Sequence, residues 1–385
     1  DFCSDPIVRW APNGAKIYAA YNSIRADGST ADIVVSRSTN HAQSWSNPVV
    51  AIAGDPGVTF PDKPWLDVHT FKSNSNTSNK VYVTATIFAD SGCDIVFTRS
   101  VNGGSSFAAP KVLASSPDCD PVLQGSRPIG GKTTGSSIGH VLACWYNSED
   151  DGFITGKFDI RCRSSNNYGK TFDAEVTAVD DMNFELPFFL CPSEAFHRWW
   201  LGMSPSMIIT KDGVAHMVFT ADPTKGDTDG ECGDIYYARS VGPPYDVWTQ
   251  PIRLNDDNSE TAQGFPTITA KSVKGGSILV AAWEDHRLSP GVECESEDAE
   301  GNPVLVTANC IYDTFFTMTK PSWTANGRLT DISSLSDFIF VGDYIDSSAN
   351  KIGSDRVVHI IWTDRSDKTD IFDFEDDVYS DKVDI

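Results

Sequence analysis

The feature that most constrains this chain is a pair of residues that keeps returning. Asp followed by Ile opens a short β-rich run at Asp32-Ile33, Asp94-Ile95, Asp159-Ile160, Asp234-Ile235 and Asp370-Ile371. Between the last two, Cys310-Ile311-Tyr312 opens a similar run. Recurrence at a regular spacing marks a repeat fold, in which each unit buries its apolar faces on its neighbours. The units are roughly 60 to 75 residues long, somewhat longer than propeller blades usually are.

Each unit opens on a strand marked by proline. These openings are Asp5-Pro6, Asp62-Lys63-Pro64-Trp65, Arg127-Pro128, Ser204-Pro205 and Phe265-Pro266, with Gly342-Asp343-Tyr344 lacking the proline. An apolar strand such as Lys80 to Ile87 comes second, the Asp-Ile run third, and a fourth strand follows a turn. Four antiparallel strands repeated radially make a propeller. Long helical periodicity is absent. The expectation is an all-β chain, a single six-bladed β-propeller of four-stranded antiparallel blades, with blades near 1–52, 58–114, 121–180, 199–255, 262–331 and 339–385.

The turns after the third strands share a pattern. Arg37-Ser38, Arg99-Ser100 and Arg163-Ser164 end their runs, and Arg239-Ser240 is a fourth case. The turns that follow read Ser38-x-Asn40 to Trp45, Ser100-x-Asn102 to Phe107 and Ser165-x-Asn167 to Phe172. Ser and Asn side chains bond nearby backbone in such turns, glycine allows a positive φ, and the aromatic is expected to pack between blades. Ala42 stands where glycine is expected in the first. These turns resemble the Asp box, Ser-x-Asp-x-Gly-x-Thr-Trp, of sialidases and related propellers, with Asn in place of Asp. The resemblance spans nearly the whole chain. It implies that the Asp-box residues are scaffold. It also implies that the ligand face is built from the loops entering each first strand and leaving each second strand.

That rule gathers candidate residues. For catalysis they are Asp62 and Tyr344; for ligand binding they are Asp5, Lys63, Arg127, Trp199, Trp200, Glu284, Arg287, Asp343 and Arg365. Aromatics, carboxylates and arginines on one rim suit sugar recognition. The bland alternative is that Arg287 and Arg365 pair with Asp285 and Asp364. The sialidase pattern itself is broken: its first motif arginine falls on Ser4, and its acid/base Asp falls near Asn22, which cannot transfer a proton in that role. Tyr344 falls near the tyrosine nucleophile. His197 with Tyr344 offers a base and an acid for a polysaccharide lyase.

Composition narrows the class further. The net charge of -23 argues against nucleic acid and anionic membranes, both of which need basic surface. No apolar run is long enough for a membrane helix. Of nine cysteines, Cys144 with Cys162 and Cys294 with Cys310 each flank a hairpin-like segment and read as disulfides of an oxidising compartment. Cys93 with Cys119 and Cys191 with Cys232 are further candidate pairs, leaving Cys3 odd. The chain opens on Asp1 rather than Met, as expected where a leader such as a secretion signal has been removed. No cofactor is required. The acidic run Asp227-Thr228-Asp229-Gly230-Glu231 suits either calcium or plain solvent. The main expectation is an extracellular propeller that binds a carbohydrate or a protein partner on its rim without sialidase activity. The alternatives are a glycosidase or lyase using the same face, and a component of an extracellular assembly.

Overall fold

A computed structural model describes residues 2–73, 76–131, 139–148, 156–184, 204–221, 233–259, 261–292, 294–297, 303–306, 311–335, 345–352, 355–364 and 377–385. Blade one holds β1 (Phe2–Trp10), β2 (Ile17–Ile24), β3 (Ala31–Ser38) and β4 (Val49–Ile52). Blade two holds β5 (Thr59–Ser73), β6 (Asn76–Ala89), β7 (Gly92–Ser100) and β8 (Lys111–Pro117). Blade three holds β9 (Val122–Gly131), β10 (His140–Ser148), β11 (Gly156–Ser165) and β12 (Val176–Phe184). Blade four holds β13 (Ser206–Ile209), β14 (Ala215–Ala221), β15 (Asp234–Arg239) and β16 (Ile252–Arg253).

Blade five holds β17 (Gln263–Val273) and β18 (Gly276–Asp285). A separate ribbon of β19 (Cys294–Glu297) and β20 (Pro303–Val306) follows, then β21 (Ile311–Met318), β22 (Gly327–Arg328) and β23 (Ser334–Leu335). Blade six holds β24 (Asp346–Ile352), β25 (Asp355–Asp364) and β26 (Asp377–Asp384), three strands among the described residues. The strands pair antiparallel in chain order within each blade, and no helix occurs among the described residues. This is the six-bladed β-propeller that the repeat predicts.

The register explains why Asp-Ile recurs. Ile33, Ile95, Ile160 and Ile235 pair with Asn22, Thr86, Tyr146 and Thr220, one equivalent place per blade. In blades one, four and five the Asp at this place bonds chain at or beyond strand four, whereas Asp159 of blade three accepts from Arg161 on its own strand at 2.8 Å. Asp32 accepts from the Gly54 amide at 2.9 Å, Asp234 from Asn255 at 2.6 Å, and Asp313 from Arg328 at 2.7 Å and Thr330 at 2.6 Å. In blade five the pair at this place is Asp313-Thr314, opposite Asp285 and Glu284, two residues beyond the Ile311 that opens the run. In blade six it is Asp377-Val378, opposite Asp364 and Thr363; Asp370-Ile371 lies outside the described residues.

The three turns share one hydrogen-bond net. The Ser hydroxyl bonds the Asn oxygen two residues on and accepts from the amide four residues on, for Ser38 with Ala42, Ser100 with Gly104 and Ser165 with Gly169. Asn40, Asn102 and Asn167 accept in turn from the amides of Ser44, Ser106 and Thr171. The repeated arginine reaches across a seam: Arg37 donates to the Gly103 carbonyl at 3.1 Å and Arg99 to the Tyr168 carbonyl at 2.6 Å, each on the next blade's turn.

Five apolar clusters fill five seams, between blades one and two, two and three, three and four, four and five, and five and six. Between blades six and one no such cluster occurs among the described residues. Val8, Trp10 and Val50 of blade one and Ile361 and Val378 of blade six are exposed. This accounts for a departure from expectation. Phe107 and Phe172 pack against the first two clusters, whereas Trp45 is 41% exposed, because its turn borders the seam without a core.

Cys93 is bonded to Cys119 and Cys144 to Cys162; Cys144 and Cys162 lie directly opposite on β10 and β11. Cys3 is exposed and has no disulfide partner among the described residues. Cys191, Cys232 and Cys310 lie outside the described residues, as does the Asp227–Glu231 run.

Candidate functional site

The first strands of four blades carry the same irregularity. The ladder skips two residues after Ser4, Asp62, Gln124 and Gly264. The residue at each skip has a positive φ: Asp5 at 51°, Lys63 at 49°, Gly125 at 67° and Phe265 at 49°. Three of these precede a proline, which costs nothing at a bulge because no ladder amide is needed there. The bulge turns the rim side chains of blades one and two toward each other.

Asp5, Lys63 and Asp62 meet at this point. The Lys63 ammonium lies 2.9 Å from Asp5, with both side chains 13% exposed. Beneath them, fully buried Asn22 donates from one amide nitrogen to Asp5 at 3.4 Å, to Asp62 at 3.3 Å and to Ser4 at 3.4 Å. Its Oδ1 has no hydrogen-bond partner among the described residues, leaving an acceptor unused at the floor of the cluster. Burial pushes the Asp62 carboxyl above its ordinary range; Lys63 opposes the rise and the Asp5 carboxylate adds to it. A carboxyl inclined to hold its proton beside an ion-paired carboxylate is an acid and an anion side by side.

The other candidates sit elsewhere. Arg127 is buried, with its guanidinium 3.5 Å from the Trp65 ring centre and its Nε donating to Ser204 at 2.8 Å. Trp65 is itself buried, so its ring is core rather than a stacking platform. Arg287 is ion-paired to Asp285 at 2.7 Å, Asp256 at 2.9 Å and Asp257 at 3.2 Å, and lies over Phe315. The pairing of Arg287 with Asp285 is the bland alternative found, extended by two aspartates that the rim rule does not select. Trp283 and Trp362 each donate their indole N–H to the Asp two residues on.

Glu284 occupies in blade five the place that Asn22 occupies in blade one. It is 2% exposed, its Oε2 has no partner among the described residues, and burial pushes its carboxyl up to about 8. Trp199, Trp200, Asp343, Tyr344, Arg365 and His197 lie outside the described residues. No group of three metal-ligating side chains occurs among the described residues. Sequence reasoning puts Asn22 at a second-strand exit of the rim and near the place of the missing acid/base, not between two carboxylates. Its bridging role depends on the bulge, whose one trace in sequence is the proline after the residue of positive φ.

No family model and no curated protein matches the chain. Solved structures do. An α-L-arabinofuranosidase from Fusarium graminearum bound to an iminosugar inhibitor aligns at 11% identity over 99% of this chain and 93% of that chain, with a TM-score of 0.56. The shared fold is a six-bladed β-propeller. The α-L-arabinanase of Penicillium chrysogenum complexed with arabinobiose shares it at 13% identity over 99% and 93% of the two chains, with a TM-score of 0.54. Trypanosoma rangeli sialidase shares it at 12% identity over 98% of this chain and 54% of that one, with a TM-score of 0.50.

Proposed function

We propose that this propeller is an extracellular glycoside hydrolase acting on neutral sugar chains at the cluster of Asp5, Asp62, Lys63 and Asn22. The observation that carries the reading is Asn22 joining two carboxylates of adjacent blades, one of them inclined to stay protonated. Glycoside hydrolysis needs such a pair. Asp62 gives its proton to the leaving glycosidic oxygen while Asp5, ion-paired to Lys63, attacks the anomeric carbon. Water then cleaves the glycosyl ester, with Asp62 taking its proton back. The short span bridged by one amide favours this retaining route over inversion, which requires room for a water between the carboxyl groups.

A neutral substrate is favoured over a sialoside. Ser4 stands where the sialidase arginine would be, and Arg9, Arg127 and Arg287 are already engaged. The glycosidases that share the fold support an enzyme better than the expected binding module without chemistry. The two disulfides among the described residues fit an oxidising compartment. The test is sugar release from linear arabino-oligosaccharides and from sialyllactose, followed by chromatography. Release from the neutral substrates alone is expected. Cleavage of sialyllactose alone, or binding with no cleavage of anything, would overturn the reading.

A further inference from the structure

One position recurs from blade to blade: the second-strand residue opposite the Ile of Asp-Ile. In blades one to four it is Asn22, Thr86, Tyr146 and Thr220. In blade two it serves as a plain tie to the next blade, where Thr86 donates to the Leu123 carbonyl on β9 at 3.2 Å. Blade one departs from that use. The Asn22 side chain is longer and has two unlike ends, a donor and an acceptor. Its Nδ2 lies within 3.4 Å of Asp5 Oδ2, Asp62 Oδ1 and Ser4 Oγ. A serine hydroxyl can donate instead of accepting, so the two amide hydrogens fall to the two carboxylates.

The other end of the amide is unspent. Asn22 is fully buried, and its Oδ1 has no hydrogen-bond partner among the described residues. Buried acceptors are rarely left unused. A carboxyl that holds its proton becomes a donor, and Asp62 is the carboxyl inclined to hold one. Turning the amide over presents Oδ1 to that proton, and turning it back presents Nδ2 to the bare carboxylate. The charged groups around Asp62 do one of these at most. Lys63 on its own strand only donates and is paired with Asp5, whose carboxylate on β1 only accepts. Arg9 on β1 and Arg127 on β9 lie over the Trp65 ring. Asp32 on β3 accepts from the Gly54 amide, Arg37 on β3 donates to the Gly103 carbonyl, and Lys80 on β6 donates to the Val101 carbonyl. Strand β2 carries no charge.

We infer that Asn22 is a positioning residue for the acid: its amide donates to Asp62 when that carboxyl is charged, accepts from it when it is protonated, and so holds it beside Asp5 through both halves of the reaction. The inference rests on the proposed hydrolase reading. Asn22 is buried and acts through Asp62 without touching the sugar. The test is Asn22→Thr, because the fold already holds threonine at this place in blades two and four. It is read by the pH profile of arabino-oligosaccharide cleavage. Losing a donor to the charged form favours the protonated form. The high-pH limb, where Asp62 gives up its proton, is expected to move up by about one unit, with kcat about tenfold lower and KM within about twofold. Asn22→Leu, close in volume and without a polar end, is expected to do the same. A limb that stays in place or moves down, whatever happens to kcat, overturns the inference. The acid is also followed without catalysis, by carboxyl NMR of aspartate-labelled protein with Asp62→Asn assigning the signal. A midpoint raised by about one unit in Asn22→Thr supports the role even where no sugar is released, in which case the hydrolase reading alone fails. An unchanged midpoint overturns the role and leaves the hydrolase standing. In the intact protein the Asn22 side-chain amide signals are expected to shift through the midpoint of Asp62, and signals flat across it overturn the role.

Discussion

Arg9 on the first strand of blade one is ion-paired to Asp346 on the first strand of blade six, across the seam where the described residues form no apolar cluster. The ring is thus drawn together by charge where the other five seams use packing. Both side chains are partly exposed, so the pair contributes about 1 kcal/mol and is screened by salt. Arg9→Ala and Asp346→Asn are each expected to lower stability by about that amount, with a double-mutant cycle in urea returning a coupling of similar size that shrinks at 1 M salt. Additive effects would mean that the pair does not hold the seam.

The turn glycines respond to their neighbours. A Cβ on Gly104 would come 2.9 Å from the Tyr18 ring, and one on Gly169 would come 2.6 Å from Phe97. Gly104→Ala is therefore expected to cost more than the roughly 1 kcal/mol of backbone strain alone. In the first turn Ala42 sits at φ 64°. Ala42→Gly should relieve that strain and raise the midpoint of thermal unfolding. Opposite signs for the two substitutions check the account.

Buried Glu284 gives a pH signature. Its carboxyl titrates near 8 when folded against an ordinary 4.5. Between these values the folded state holds a proton that the unfolded chain has lost, so stability falls as pH rises from 4.5 toward 8. Glu284→Gln removes the titration. Its melting temperature should exceed that of the intact protein by a margin that grows from pH 5 to pH 8. A margin independent of pH would place Glu284 in contact with a cation or with solvent.

The sequence made the scaffold legible and left the site only half so. Asp-Ile, Arg-Ser and the Ser-x-Asn turns act within one blade or on the next in order, so their spacing carries the fold. Asp5, Asn22, Asp62 and Lys63 come from two blades and meet only because a bulge redirects the first strands. The residues were visible in the rim rule, but their contacts were not. Arg287 shows the converse. Its neighbour Asp285 was in plain view, whereas Asp256 and Asp257 approach from the end of blade four. The Asp of Asp-Ile reads as a strand signal alone, and the bonds of Asp32 and Asp234 beyond strand four emerge only with the register.

The most direct test compares oligosaccharide cleavage by the intact protein and by Asp62→Asn, with folding of both verified by circular dichroism. Removing a general acid costs on the order of a hundredfold or more in rate. The account predicts that loss in Asp62→Asn with the fold retained. A folded Asp62→Asn protein that cleaves at the rate of the intact protein would contradict it.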